Sequence, residues 1–278
     1  MGITDYFRKI SSWSPKEIRE FIDTRSPDEY TLIDVRQPGE YVEGHLPGAR
    51  LIPVGELQDH IGELDPEKTA IVYCAAGVRS RAAASILERS GFGKVYSMEG
   101  GIRAWQGLVA EGFPESGIHW FTAAHSIDEL IALAWLLEEG TRAFYDNIAG
   151  TCGDAEAAVL YQELAVSEDR HKDTLVRLKR EISDKATDAD LSAALCRQPK
   201  EKIMEGGMRL DDALAWAERK GVREILELSI SLETMSYDRY LTLQERITDE
   251  RSLKIFGVLA DEEKIHLKRL TGMFERKS

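Results

Sequence analysis

The stretch Leu164-Ala-Val-Ser-Glu-Asp-Arg-His171 decides how this chain is read, because it returns as Leu259-Ala-Asp-Glu-Glu-Lys-Ile-His266. A shift of 95 positions superimposes the two and turns Glu168-x-x-His171 into Glu263-x-x-His266. The same shift carries Leu137-Glu138 onto Leu232-Glu233, Tyr145 onto Tyr240, Tyr161 onto Phe256 and Leu175 onto Leu270. One offset that relates so many positions is an internal repeat. Each copy holds a Glu and, 30 positions later, a Glu-x-x-His.

Residues three apart share a helix face, so Glu168 and His171 can reach one metal, as can Glu263 and His266. Seven positions are close to two turns, which places Tyr145 on the face of Glu138 and Tyr240 on that of Glu233. One Glu from each of two helices plus a Glu-x-x-His from each of two others is the ligand pattern of ferritin-like di-metal bundles. The chain supplies the set: Glu138, Glu168, His171, Glu233, Glu263 and His266. The register favours Glu138, with the adjacent Glu139 as the alternative. Four carboxylates and two imidazoles suit two iron ions, or manganese, better than zinc or a thiolate metal. A single Glu-x-x-His is more often part of a solvated face. Two in register, with Tyr161, Leu164, Leu175 and Leu178 near the Glu168 stripe, face a core. There, four carboxylates need a cation or protons to compensate them.

The 278 residues are enough for two domains, each with its own core. A net charge of −13 argues against nucleic acid or an anionic membrane as the main partner. No apolar run reaches the roughly 18 residues that span a bilayer, and the opening Met1 to Ile10 lacks a signal peptide's apolar stretch. Three scattered cysteines, Cys74, Cys152 and Cys196, fit a reducing compartment. The expected location is the cytoplasm.

The reading divides the chain into a first domain at 1–115, a linker at 116–125 within a turn-rich joint, and a second domain at 126–278. In the first, Ser14-Pro-Lys-Glu opens a helix with Ser14 as its N-cap. Thr31–Val35, Ala70–Cys74 and Lys94–Ser97 are short apolar runs of the kind buried in a parallel sheet, with helices at Gly55–Leu64 and Ser80–Ser90 between them. This is an α/β pattern, in which sites form at the carboxyl ends of strands. Cys74 stands at one such end. The loop Ala75, Ala76, Gly77, Val78 leads from it to Arg79 and Ser80, and its small residues let the backbone N–H groups curl inward as an anion nest. A cysteine there is expected to have a depressed pKa and to act as a nucleophile. Four residues separate Cys74 from Arg79, one fewer than cysteine phosphatases use around a phosphate, which disfavours phosphatase chemistry.

Leu32-Ile-Asp-Val-Arg36, Glu40-Tyr-Val-Glu-Gly-His-Leu-Pro-Gly-Ala49, Tyr73-Cys-Ala-Ala-Gly-Val-Arg-Ser80 and Gly100-Gly-Ile-Arg-Ala-Trp105 resemble the rhodanese sulfurtransferases across the whole domain. The resemblance implies that Cys74 takes a sulfane sulfur as a persulfide from a small donor, thiosulfate or a persulfide, and passes it to a thiol acceptor. It also implies that the backbone from Ala75 to Arg79 cradles that sulfur, with Arg79 orienting an anionic donor. Asp34 and Arg36 are expected to brace the loop, and His45 to fix the turn at Leu46-Pro47-Gly48.

In the second domain, Ser126-Ile-Asp-Glu129 has the form of a capping box. It opens a helix to about Ala149, and a tight return at Gly150–Gly153 leads to a second helix ending near Ile182. A polar connection at Ser183–Leu210, in which Cys196 is incidental, precedes a short helix at Asp211–Lys220. Two long helices follow, Val222 to about Ile247 and Asp249 onward. Two hairpins joined by a long crossover are the ferritin-like four-helix topology. Leu137–Tyr145, Ser167–His171, Leu232–Tyr240 and Asp261–His266 resemble the rubrerythrin branch, which implies a di-iron oxidoreductase of peroxide-handling type. Without any Cys-x-x-Cys pair the chain needs an external electron donor, and, since ferritin-like bundles often pair through helix faces, a homodimer is a reasonable guess. The expected whole is a rhodanese-type sulfurtransferase joined to a di-iron domain. The alternative is an iron-and-sulfur carrier or sensor without fast turnover, and a dimerisation scaffold ranks third.

Overall fold

A computed structural model describes residues 10–112, 127–182, 202–246 and 250–277. The chain falls into two compact units, Met1–Phe113 and Pro114–Ser278. The first unit is a parallel sheet with helices on both faces. Its strands are β1 (Ser12–Trp13), β2 (Tyr30–Asp34), β3 (Ala49–Leu51), β4 (Thr69–Tyr73) and β5 (Val95–Met98), in the spatial order β1-β5-β4-β2-β3. All pairings are parallel, with Asp34 beside Tyr73 and Leu51 in register. The sequence reading found β2, β4 and β5. It missed β1 and β3, whose two and three residues are too short to show a periodicity.

The pleat of β4 sorts its side chains between two cores. Ile71 and Tyr73 meet Ile18 of α1 (Pro15–Thr24) and Tyr41 of α2 (Pro38–Val42) on one face. Val72 and Cys74 meet Leu57 of α3 (Leu57–His60) and Ala83 and Leu87 of α4 (Val78–Arg89) on the other. The expected cap at Ser14 forms as a capping box with Glu17. The expected helix at Gly55–Leu64 is one short α3 followed by a 3₁₀ turn at Ile61–Glu63.

Among its described residues the second unit is mostly helical: α5 (Ile127–Thr151), α6 (Ala155–Ile182), α7 (Leu210–Ala217), α8 (Val222–Arg246) and α9 (Glu250–Arg276). It packs as two hairpins, α5 along α6 and α8 along α9, with α6 also meeting α9. This is the ferritin-like bundle with its long crossover between the second and third long helices. Phe144, Tyr161, Leu164, Leu226 and Leu270 form its apolar core. Ser126 of the expected capping box and Cys196 of the crossover lie outside the described residues. None of the described helices is long and apolar enough to cross a membrane.

Candidate cysteine loop and metal centre

Cys74 follows directly on β4 and is buried at 1% exposure. The chain then turns sharply into α4 through Gly77, whose φ of +88° is open to glycine and strained for any side chain. The turn aims the Gly77 N–H at the Cys74 Sγ, 3.1 Å away. The buried Ser80 hydroxyl stands 3.7 Å from the sulfur and 2.9 Å from the Ser97 hydroxyl. Burial pushes the Cys74 thiol pKa up. The backbone N–H groups of Ser80, Ala76 and Gly77 and the Ser80 hydroxyl outweigh that and hold it below the ordinary thiol value. Ala76 and Val78 are exposed on the rim.

A second turn supports the loop from behind. Gly100 and Gly101 both have positive φ, the Ile102 N–H donates to the Cys74 carbonyl at 2.8 Å, and that of Arg103 donates to the Ala75 carbonyl. A Cβ on Gly101 would stand 2.2 Å from the Cys74 carbonyl oxygen, so the approach requires glycine.

Asp34 and Arg36 form a buried multidentate pair, and Arg36 also donates to the Gly44 carbonyl at 2.6 Å. His45 stacks on Tyr41 with ring centroids 3.7 Å apart, and its backbone pairs with that of Ala110. Arg79, read from the sequence as the residue that orients an anionic donor, places both terminal nitrogens on the Glu40 carboxylate at 2.7 Å. Those bonds, set against burial, hold Glu40 at a pKa of about 2. Glu40 stood in a quoted motif, but nothing in the sequence marked its partner.

In the helical unit, α6 and α9 each bring a Glu-x-x-His inward. Glu168, His171, Glu263 and His266 are all buried, with one ligand atom from each within 4.8 Å of the others. α5 and α8 add Glu138 and Glu233. The His171 Nδ1 lies 3.2 Å from Glu138, 3.0 Å from Glu168 and 3.4 Å from Glu263. The His266 Nδ1 lies 3.2 Å from Glu233, 3.3 Å from Glu263 and 3.6 Å from Glu168. All six expected residues therefore converge. Glu139 does not join them: its carboxylate is turned to Arg142, Lys172 and Lys202.

The tyrosines cross over. Tyr145 of α5 donates to Glu233 of α8, and Tyr240 of α8 donates to Glu138 of α5. Ser236 donates to Glu263 at 3.2 Å. Sequence reasoning also missed Glu262, which lies 2.8 Å from the His171 Nε2 but out of hydrogen-bond alignment. It likewise missed Glu205, a buried carboxylate paired with Arg239 beside α8. Burial pushes Glu205 up to a pKa of about 7 against the pull of Arg239.

The donor set fits a pair of divalent cations. Glu168 Oε1 and Glu263 Oε2 are buried without a hydrogen-bond partner. Burial, then the neighbouring Glu138 or Glu233, raises the pKa of Glu168 and Glu263 far above the carboxylate range. Glu138 is depressed to about 2 and Glu233 is lowered, since the imidazoles and their hydroxyl partners outweigh burial. The carboxylates raise His171 and His266 despite burial. Two divalent ions against four carboxylates and neutral imidazoles reach neutrality without protonating any acceptor.

Comparison with known proteins matches two family models, one described as a rhodanese-like domain at residues 12–108 and one as rubrerythrin at residues 224–278. The chain is 40% identical over 78 residues to YqhL of Bacillus subtilis, covering 28% of this chain and 62% of that protein. It is 37% identical over 99 residues to the probable adenylyltransferase/sulfurtransferase MoeZ of Mycobacterium tuberculosis, covering 35% of this chain and 25% of that protein. Against the thiosulfate sulfurtransferase GlpE of Pseudoalteromonas translucida, identity is 31% over 94 residues, covering 34% of this chain and 90% of that protein. Among solved structures, a rhodanese-related protein from Thermoplasma volcanium is 33% identical, covering 36% of this chain and 97% of that one, with a TM-score of 0.33. The chain thus spans less than two thirds of YqhL and of MoeZ.

Proposed function

Because the chain belongs to the rhodanese-like family through residues 12–108 and carries a rubrerythrin domain at 224–278, we propose that it is a sulfurtransferase working through a Cys74 persulfide, joined to a di-iron centre of oxidoreductase type. The observation that carries the first half is the sulfur of Cys74 within reach of the Gly77 N–H and the Ser80 hydroxyl. Its thiolate attacks the outer sulfur of a sulfane donor. The donor's S–S bond breaks, and the leaving group, sulfite or a thiolate, departs with the electron pair. The inward N–H groups stabilise the charge on the sulfur through the transfer. An acceptor thiolate then takes the outer sulfur and returns the Cys74 thiolate.

Glu138, Glu168, His171, Glu233, Glu263 and His266 would hold the two metal ions, iron by preference and manganese by supply. Iron there would supply redox chemistry toward peroxide, fed by an external electron donor. The chain's own residues keep the ligands in place: Tyr145 and Tyr240 each fix one carboxylate oxygen of the opposite hairpin. The assay is sulfur transfer from saturating thiosulfate to cyanide, in the parent and in Cys74→Ser. The expected loss is at least about a thousandfold, and transfer retained in Cys74→Ser would exclude this role for the cysteine.

A further inference from the structure

We propose that Glu40 sets the donor class of the Cys74 loop. It disfavours small dianions such as thiosulfate and leaves persulfides carried on a thiol as the preferred source. This rests on the sulfurtransferase reading. A dianion needs a cation with free donors, and Arg79 is the loop's own arginine. Its guanidinium fork is already closed by a bidentate pair with Glu40 at 2.7 Å on both arms, the geometry in which arginine binds a carboxylate most strongly. Glu40 is itself held, since its Oε2 accepts the Gln37 N–H at 3.1 Å.

The neighbouring guanidinium of Arg36 is spent in the same way, on Asp34 and the Gly44 carbonyl. Arg81 turns its Nε to the Gly77 carbonyl. Val78 is exposed on the rim at 69%. Thiosulfate gripped by the two terminal nitrogens of Arg79 would have to break two charge-assisted bonds, and on the remaining N–H donors of the guanidinium it would lie beside the Glu40 carboxylate, a like charge. A persulfide R–S–S–H needs only the loop's N–H groups. The Cys74 thiolate takes its outer sulfur, the S–S bond breaks, and R–S⁻ leaves with the electron pair.

The test measures initial rates with the full chain and with Glu40→Gln, cyanide serving as acceptor and either thiosulfate or cysteine persulfide as donor. Cysteine persulfide carries an ammonium that offsets its carboxylate. Opening the fork is expected to lower KM for thiosulfate roughly fivefold, the scale of a partly exposed ion pair, with kcat moving less and the gain shrinking at high salt. KM for cysteine persulfide should move less than about twofold on the same scale. An unchanged thiosulfate KM overturns the proposal, and so does an equal change for both donors, which would make Glu40 a brace for the loop. A parent that turns over neither donor removes the sulfurtransferase reading itself, and the donor assignment falls with it.

Discussion

At the cysteine loop one buried sulfur sits under a backbone N–H and a hydroxyl that already suit its ionised form. In the helical unit six ionisable groups crowd together, and two of their carboxylate oxygens are buried without a hydrogen-bond partner. The loop is complete as the chain builds it, because α4 offers its free N–H groups to any anion at its start. The bundle is not complete, because helix interiors have no spare backbone donors and only side chains can answer the carboxylates. A site satisfied by its own backbone calls for a substrate. A site that leaves buried acceptors orphaned calls for cations.

That contrast can be broken most forcefully by chelation. Removing metal should lower the unfolding temperature of the helical unit by roughly 20 °C, as ions bound far above their dissociation constants each contribute about 4 kcal/mol. The rate of Cys74 alkylation should stay unchanged. Calorimetry before and after chelation, with alkylation run in parallel, would sink the contrast if neither unit responded or if both did.

The next largest effect belongs to Gly101→Ala. With φ at +60° and the Cys74 carbonyl oxygen 2.2 Å from the new Cβ, the turn must move. Denaturant unfolding should report a loss of about 2 kcal/mol or more in the first unit, with slower sulfur transfer, and a neutral result would mean the loop needs no such support. Tyr240→Phe removes the hydroxyl held by Glu138. It should weaken metal binding by about tenfold, the effect of losing a group that orients a ligand, as read by competition with a chelator. Unchanged affinity would make the crossed tyrosines packing residues only.

Ser80→Ala is expected to have the smallest effect. The hydroxyl helps keep the Cys74 thiol below its ordinary value against burial, so its loss should raise the pKa. Alkylation should therefore slow where the parent is ionised and the variant is not. The two rates should converge at higher pH, where both are thiolates. Equal rates at every pH would remove Ser80 from the account.

The legible parts of the molecule were those written locally. The six expected ligands follow from a repeat register together with the three-residue spacing of a helix face, and the geometry gathers all six while turning Glu139 away. The tyrosines show what spacing leaves open. Seven positions put Tyr145 on the face of Glu138, but two turns rise about 10.5 Å, so its hydroxyl serves Glu233 of the other hairpin instead. Strands β1 and β3 were too short to carry a period. The pairs Arg79–Glu40 and Arg239–Glu205 join residues far apart in sequence. Each partner taken alone is an ordinary charged residue, so only the folded arrangement reveals them.

The central claim is the proposal that the helical unit holds two metal ions. Elemental analysis of the purified parent and of Glu168→Ala/Glu263→Ala, with Cys74 alkylation followed in both, tests it most directly. The account expects about two metal ions per chain, one for each Glu-x-x-His, lost in the double variant while alkylation is unaltered. A parent that stays metal-free after anaerobic iron reconstitution, or a double variant that keeps its metal, would contradict it.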